Sequence, residues 1–117
     1  TLKVTSVNDP TFGPTLMFGL GGIFVEVMKD VTFKVAPINE ATGLAMQSEI
    51  KSSKILQGTR GELPRDQKAL AKVLAHYSYM VHDLRDEIAE SDANPVIVYE
   101  DGKGVAIVDA RIILTKK

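Results

Sequence analysis

The last twenty or so residues constrain the fold most. Two apolar runs, 96–99 and 105–114, flank Glu100-Asp101-Gly102-Lys103-Gly104, a charged stretch with two glycines. Glycine enters the φ > 0 region that tight reversals demand, so the runs are predicted to pair as an antiparallel hairpin. With the turn centred near Gly102, opposed residues have numbers summing to about 204, with one or two residues of slack for a bulge. Asn94 and Asp109 then fall on neighbouring rungs at one end of the hairpin, their Cβ atoms about 5–8 Å apart.

Strict alternation in the final strand puts Ala106, Val108, Ala110, Ile112 and Leu114 on one face and Val105, Ile107, Asp109, Arg111 and Ile113 on the other. Two charges interrupt an otherwise apolar row. An unpaired charge on a half-buried strand costs several kcal/mol, so Asp109 and Arg111 either pair structurally or serve a ligand. A hard cation is one such ligand. Mg²⁺ takes one or two protein oxygens and completes its shell with water and phosphates, which a carboxylate and an amide carbonyl at a hairpin end can supply. Pro95 suits the opening of a strand and restrains the residue before it.

Upstream, residues 2–7 alternate and stop at Asn8-Asp9-Pro10, and a short apolar run from Thr15 to Phe18 precedes Gly19. Val31, Phe33 and Val35 alternate with Thr32, Lys34 and Ala36, which predicts a third strand ending at Pro37. Glu40 to Ile55 carries Ala41, Leu44, Ala45, Ile50 and Ile55 at roughly helical spacing, then Gly58 and Gly61 mark a loop. A clearer helix follows Pro64: Asp66 is placed to cap it, and Leu70, Val73, Leu74, Tyr77, Val81 and Leu84 form its apolar stripe. The expected class is α+β, with a largely antiparallel sheet and two packed helices in a single partial domain over 1–117.

Composition removes several functions. Net charge is −1 and cysteine is absent, so a dedicated nucleic-acid binder, a disulfide scaffold and a thiol nucleophile are not expected. His76 and His82 are too few for a zinc or iron centre, and neither has a partner at catalytic spacing. The apolar stretches are too short to span a membrane, and the lack of a secretory signal or cysteine makes the cytoplasm the default. Thr1 in place of Met suggests a fragment. Charge is nevertheless segregated. Residues 51–72 carry six cations against two anions, whereas 82–101 carry seven carboxylates against Arg85 alone. Such a run is ordinarily a solvated helix end and loop, but this one ends at Ser91-Asp92-Ala93-Asn94-Pro95, beside the candidate cation ligands.

Gly19-Leu20-Gly21-Gly22 has neither the dinucleotide-binding spacing nor the Lys-Ser/Thr of a P-loop. It can form a backbone anion nest or a tight turn needing positive φ. Glu26 is the sole carboxylate from Thr15 to Met28, and its isolation points to a cation or a main-chain cluster as partner. Arg60, in a basic loop beside Gly61, could reach a phosphate or stay solvated.

Several words together resemble the ADP-forming acyl-CoA synthetases (acetate-CoA ligases), in the C-terminal half of their ATP-grasp domain. They are Asp9-Pro10-Thr11-Phe12-Gly13-Pro14, Met17-Phe18-Gly19-Leu20-Gly21-Gly22-Ile23-Phe24-Val25-Glu26-Val27, Lys29-Asp30-Val31, Ala36-Pro37, Arg60-Gly61, Asp92-Ala93-Asn94-Pro95 and Val108-Asp109-Ala110-Arg111. The resemblance implies that Asn94 and Asp109 hold the Mg²⁺ of ATP or ADP and that Asp92 receives a phosphohistidine loop. It also implies a catalytic role for Glu26 and nucleotide contacts at Gly21 and Gly22. The implied reaction is acyl-CoA + ADP + phosphate ⇌ carboxylic acid + CoA + ATP. The implied partners are the N-terminal half of the ATP-grasp domain and a CoA-binding part carrying the phosphohistidine, within a hetero- or homo-oligomer. By this resemblance the chain alone is an incomplete, inactive enzyme. Two other readings are a degenerate ATP-grasp module with a regulatory or assembly role, which has no reason to keep the metal pair, and a succinyl-CoA synthetase β-type subunit.

Overall fold

A computed structural model of the chain describes residues 2–21, 30–51, 53–58 and 63–116. Among these, six strands form one sheet: β1 (Leu2–Asp9), β2 (Gly13–Leu20), β3 (Val31–Val35), β4 (Ile88–Val98), β5 (Val105–Ile107) and β6 (Ala110–Leu114). Their order is β3-β2-β1-β4-β5, with β6 also on β4, and every pairing is antiparallel. Helices α1 (Glu40–Glu49), α2 (Ser53–Gln57) and α3 (Gln67–Asp83) complete the described elements.

The helices bury one face of the sheet. Leu2 and Val4 of β1, Leu16 and Phe18 of β2, and Ala93, Val96 and Val98 of β4 join Met46, Leu56, Leu70 and Leu74 in a single core. Because successive strand residues point to opposite faces, Lys3, Thr5 and Val7 lie on the face that carries no helix. Paired residues share a face, so two rungs can be read across that bare side. They run Val35–Thr15–Val7–Glu90–Ile113 and Phe33–Met17–Thr5–Asp92–Arg111.

The segment expected to be one helix over Glu40–Ile55 is two. Asn39 caps α1 by accepting from the Thr42 amide at 2.8 Å, but Ile50 is extended (φ −87°, ψ 150°) and drops its side chain into the core. The Asp30 carboxylate accepts from the Lys51 amide and holds the break. Helix α3 starts where expected, with Asp66 accepting from the Ala69 amide at 3.1 Å. Leu70, Leu74 and Val81 of the predicted stripe are buried, but the buried face also takes in Ala71, Ala75 and Ser78, whereas Leu84, just past the helix end, is exposed. The reason is packing against α1, where Gly43 lies so near Ala71 that a Cβ there would sit 2.8 Å from the Ala71 carbonyl oxygen. Large side chains do not fit that contact.

The acidic run is not a helix end and loop throughout. It crosses the middle of the sheet as β4, which begins at Ile88 rather than near 96. Its period-two pattern is obscured by register shifts opposite β1 and β6 and by polar residues on the bare face. The hairpin is present, with Gly102 and Gly104 both at φ +86°. Asp66 clamps its turn, accepting from the Gly104 amide at 2.8 Å while its own amide donates to the Tyr99 carbonyl at 2.8 Å.

Candidate metal and phosphate site

Strands β4, β5 and β6 meet at one irregular point. Opposed numbers sum to 203 on both sides of it, since Val96 pairs with Ile107 and Ala93 with Ala110. Between those pairs the regular ladder is interrupted: β4 continues as strand, while Val108 and Asp109 opposite it fall between β5 and β6. The Asn94 amide donates to the Asp109 carbonyl at 3.0 Å, and the Val108 amide donates to the Pro95 carbonyl at 3.1 Å. Asn94 thus lies directly across from Asp109, a rung closer than the turn arithmetic predicts. The interruption also overturns the expected single strand over 105–114 with one alternating face. Ile107 is opposite core residue Val96 and Ala110 opposite core residue Ala93, so the pattern inverts at Val108–Asp109.

The surroundings are polar and open. Asp92, Asn94, Asp109, Ala110 and Arg111 line one depression. An adjoining one shares Asp92, Asn94 and Arg111 and extends along β1 past Lys3 and Thr5. Asp109 and Arg111 do not form an ion pair with each other; Lys34–Glu49 and Lys103–Glu100 are ion pairs elsewhere in the described residues. One Asp109 carboxylate oxygen accepts from the Ala110 amide at 2.9 Å, which fixes the side chain beside the depression.

Gly21 completes this corner. It is not in the left-handed region, so the turn reading does not explain it; a Cβ there would lie 2.8 Å from Asn94 Oδ1 and 3.0 Å from the Leu2 carbonyl oxygen. The missing side chain leaves Asn94 Oδ1 its place. Donor chemistry and space therefore fit a hard cation held by an amide oxygen and a carboxylate. No group of three or more His, Asp or Glu with metal-holding geometry occurs among the described residues, so a fuller protein-only cage is not offered there.

Asp92 lies one rung further along β4, between Thr5 and Arg111. Behind it on the helix side, Ser6 and Ser91 oppose each other with Oγ atoms 2.5 Å apart, and the Tyr77 hydroxyl reaches Ser91 Oγ at 2.5 Å. Burial pushes the Tyr77 phenol above its usual range, so it stays a neutral hydrogen-bonding group. Gly22, Glu26, Arg60 and Gly61 lie outside the described residues. His76 is solvent-facing on α3, its ring 6.1 Å from that of Tyr79, and His82 is in the last turn of α3, away from the depression. Lys3 and Thr5 were not singled out by sequence reasoning. The available signal was a lysine alternating with Leu2 and Val4 in a strand whose other charge is its last residue, Asp9.

A helix-backed antiparallel sheet whose bare face gathers acidic and amide oxygens beside cationic side chains suits one wall of a nucleotide-binding domain. The chain belongs to the ATP-grasp domain family, whose model matches residues 1–114. It is 55% identical over 107 residues to the acetate–CoA ligase [ADP-forming] II subunit beta of Pyrococcus furiosus, covering 92% of this chain and 45% of that protein. A crystal structure from Pyrococcus horikoshii superposes with a TM-score of 0.92 at 49% identity, over 99% of this chain and 48% of the other. The dinucleotide forming acetyl-coenzyme A synthetase 1 of Ca. Korarchaeum cryptofilum, solved with coenzyme A and Mg-AMPPCP, gives 0.88 at 46% identity, over 97% and 52%. The chain therefore spans about half the length of these relatives.

Proposed function

We propose that the chain forms the metal- and phosphate-facing wall of the nucleotide site of an ADP-forming acid–CoA ligase. The observation that carries this is the juxtaposition of Asn94 and Asp109 where the ladder is interrupted between β5 and β6, with Gly21 bare beside Asn94 Oδ1. In this reading Asn94 and Asp109 hold Mg²⁺, which when bound neutralises charge on the phosphates of ATP or ADP. Asp92, on the same face, receives a phosphohistidine carried elsewhere in the enzyme. Gly21 shapes the metal corner, and Gly22 and Glu26 keep the nucleotide-binding and catalytic roles that the family resemblance implies. The overall conversion is acyl-CoA, ADP and phosphate to carboxylic acid, CoA and ATP.

The bare face supports a covering partner. Phe33, Val35 and Val7 are 59%, 49% and 53% exposed on adjacent rungs, an apolar patch that needs burial. The other half of the ATP-grasp domain is the proposed cover, and a CoA-binding part with the phosphohistidine completes the enzyme. We assign the activity to the cytoplasm, in keeping with a cysteine-free chain. No described helix is long and apolar enough to cross a membrane. The degenerate-module reading is disfavoured because both members of the metal pair are present and opposed.

The test is Asn94→Ala and Asp109→Ala in the complete synthetase. Each is expected to abolish ATP formation while circular dichroism and melting stay near wild type. Activity within a few-fold of wild type would remove both residues from the metal site.

A further inference from the structure

We propose that Lys3 is a phosphate-contacting cation of this site, a role that rests on the nucleotide reading above and assigns a residue to it. Lys3 is the second residue of β1 and only 6% exposed. A lysine on an open sheet face ordinarily lays its stem along the surface and sends its ammonium into water. Lys3 is instead almost fully covered, on the face that has no helix.

Its position explains how. On one side it opposes Gly19 of β2, where the Asp30 carbonyl and Val31 crowd in so closely that a Cβ on Gly19 would lie 2.5 Å from each. On the other, β4 steps out at Asn94 and Pro95 between the Leu2–Val96 and Val4–Ala93 pairs, so Lys3 is level with the irregularity. The Asn94–Asp109 pair is therefore the next feature across the sheet from it. Lys3 lines the depression, of about 280 Å³, together with Thr5, Asp92, Asn94 and Arg111. The last three also line the depression that contains Asp109. A lysine and an arginine thus flank the candidate metal oxygens within one continuous open surface.

Desolvating an ammonium is costly unless opposite charge surrounds it. Asp92 and Glu90 of β4 line the same depression as Lys3 and put carboxylates on its wall. A counter-ion role alone would need no open space, yet the depression is open and has room for a ligand. A ligand that binds through a cation on Asn94 and Asp109 brings phosphate oxygens into it, and a lysine meets phosphate as a compact charge with three donors. The ligand class is a nucleoside di- or triphosphate, touched at its phosphates and not at its base.

Titration calorimetry on the complete synthetase tests this with three ligands: ADP with Mg²⁺, ADP in EDTA, and adenosine. Lys3→Met keeps the stem and removes the charge. It is expected to weaken ADP about ten- to a hundredfold with or without Mg²⁺, as loss of a charged hydrogen bond does, and to leave adenosine unchanged. Lys3→Arg should recover most of the loss, and it serves alone should Lys3→Met not fold, because an Arg variant binding ADP no better than adenosine overturns the proposal. Unaltered ADP binding in Lys3→Met, or equal weakening of ADP and adenosine, also overturns it. Asp109→Asn separates this from the underlying reading: it should erase the gain from Mg²⁺ and spare ADP binding in EDTA. If the Mg²⁺ gain survives in Asp109→Asn while Lys3→Met still weakens ADP in EDTA, the metal assignment fails and the lysine contact stands.

Discussion

Replacing Gly21 with alanine probes the metal corner without touching a proposed ligand. The added Cβ would meet Asn94 Oδ1 at 2.8 Å and the Leu2 carbonyl oxygen at 3.0 Å, where ordinary contacts begin at 3.4 Å. Asn94 Oδ1 must retreat by about 0.6 Å, the difference between 3.4 and 2.8 Å, because the Leu2 carbonyl belongs to a strand paired on both sides and yields less. A misplacement of 1 Å in a reacting constellation can cost about a hundredfold, so a loss on the order of tenfold in kcat is expected, with a raised Mg²⁺ requirement. Crowding of this kind also destabilises by about 1–3 kcal/mol. The assay is CoA- and acid-forming turnover of ADP and phosphate by the complete synthetase, titrated with Mg²⁺ and accompanied by a melting curve. A variant that melts lower yet keeps the wild-type Mg²⁺ dependence and rate would refute the argument that Gly21 is bare for the sake of Asn94.

Two further outcomes concern the scaffold. Hydrogen bonds from the Ala69 and Gly104 amides hold the Asp66 carboxyl below its usual range. A lowered folded-state value means its stabilisation is fully present above the unfolded pKa of about 3.9 and is lost as pH falls through the folded one. Asp66→Asn, which keeps a capping oxygen but no charge, should flatten the acid limb of a plot of urea midpoint against pH from 7 to 3; an unchanged limb would assign that limb to other carboxyls. Leu74 is 0% exposed in the core between α3 and the sheet, so Leu74→Ala should cost about 2–5 kcal/mol, read from the shift in urea midpoint at constant slope. A cost below 1 kcal/mol would mean the core at Leu74 collapses around the gap.

Much of the fold was legible where its causes are local. The Gly102 and Gly104 turn, the Asp66 cap, and the alternation in β1 and β3 each depend on residues a few positions apart, and each formed as expected. The hairpin arithmetic brought Asn94 and Asp109 together for the same reason, since register propagates from a turn. Legibility failed where a neighbour distant in sequence decides. Helix α3 buries Ala71 and Ala75 beside the expected Leu70, Leu74 and Val81 because it packs against Gly43 of α1 too closely for larger side chains. Glu40–Ile55 broke at Ile50 because the core takes that side chain and Asp30 takes the next amide.

The candidate site divides along the same line. The sequence by itself determined the turn, the donors on either side of it and the glycine-rich word before Glu26, because these are matters of residue type and spacing. Tertiary structure alone decided that β4 runs through the acidic stretch, that the ladder opposite Asn94 is interrupted at Asp109, and that Lys3 is covered beside them. Those three facts come from how β1 and β6 meet β4. Irregular register is a compromise among three strands, and no single stretch of sequence contains it.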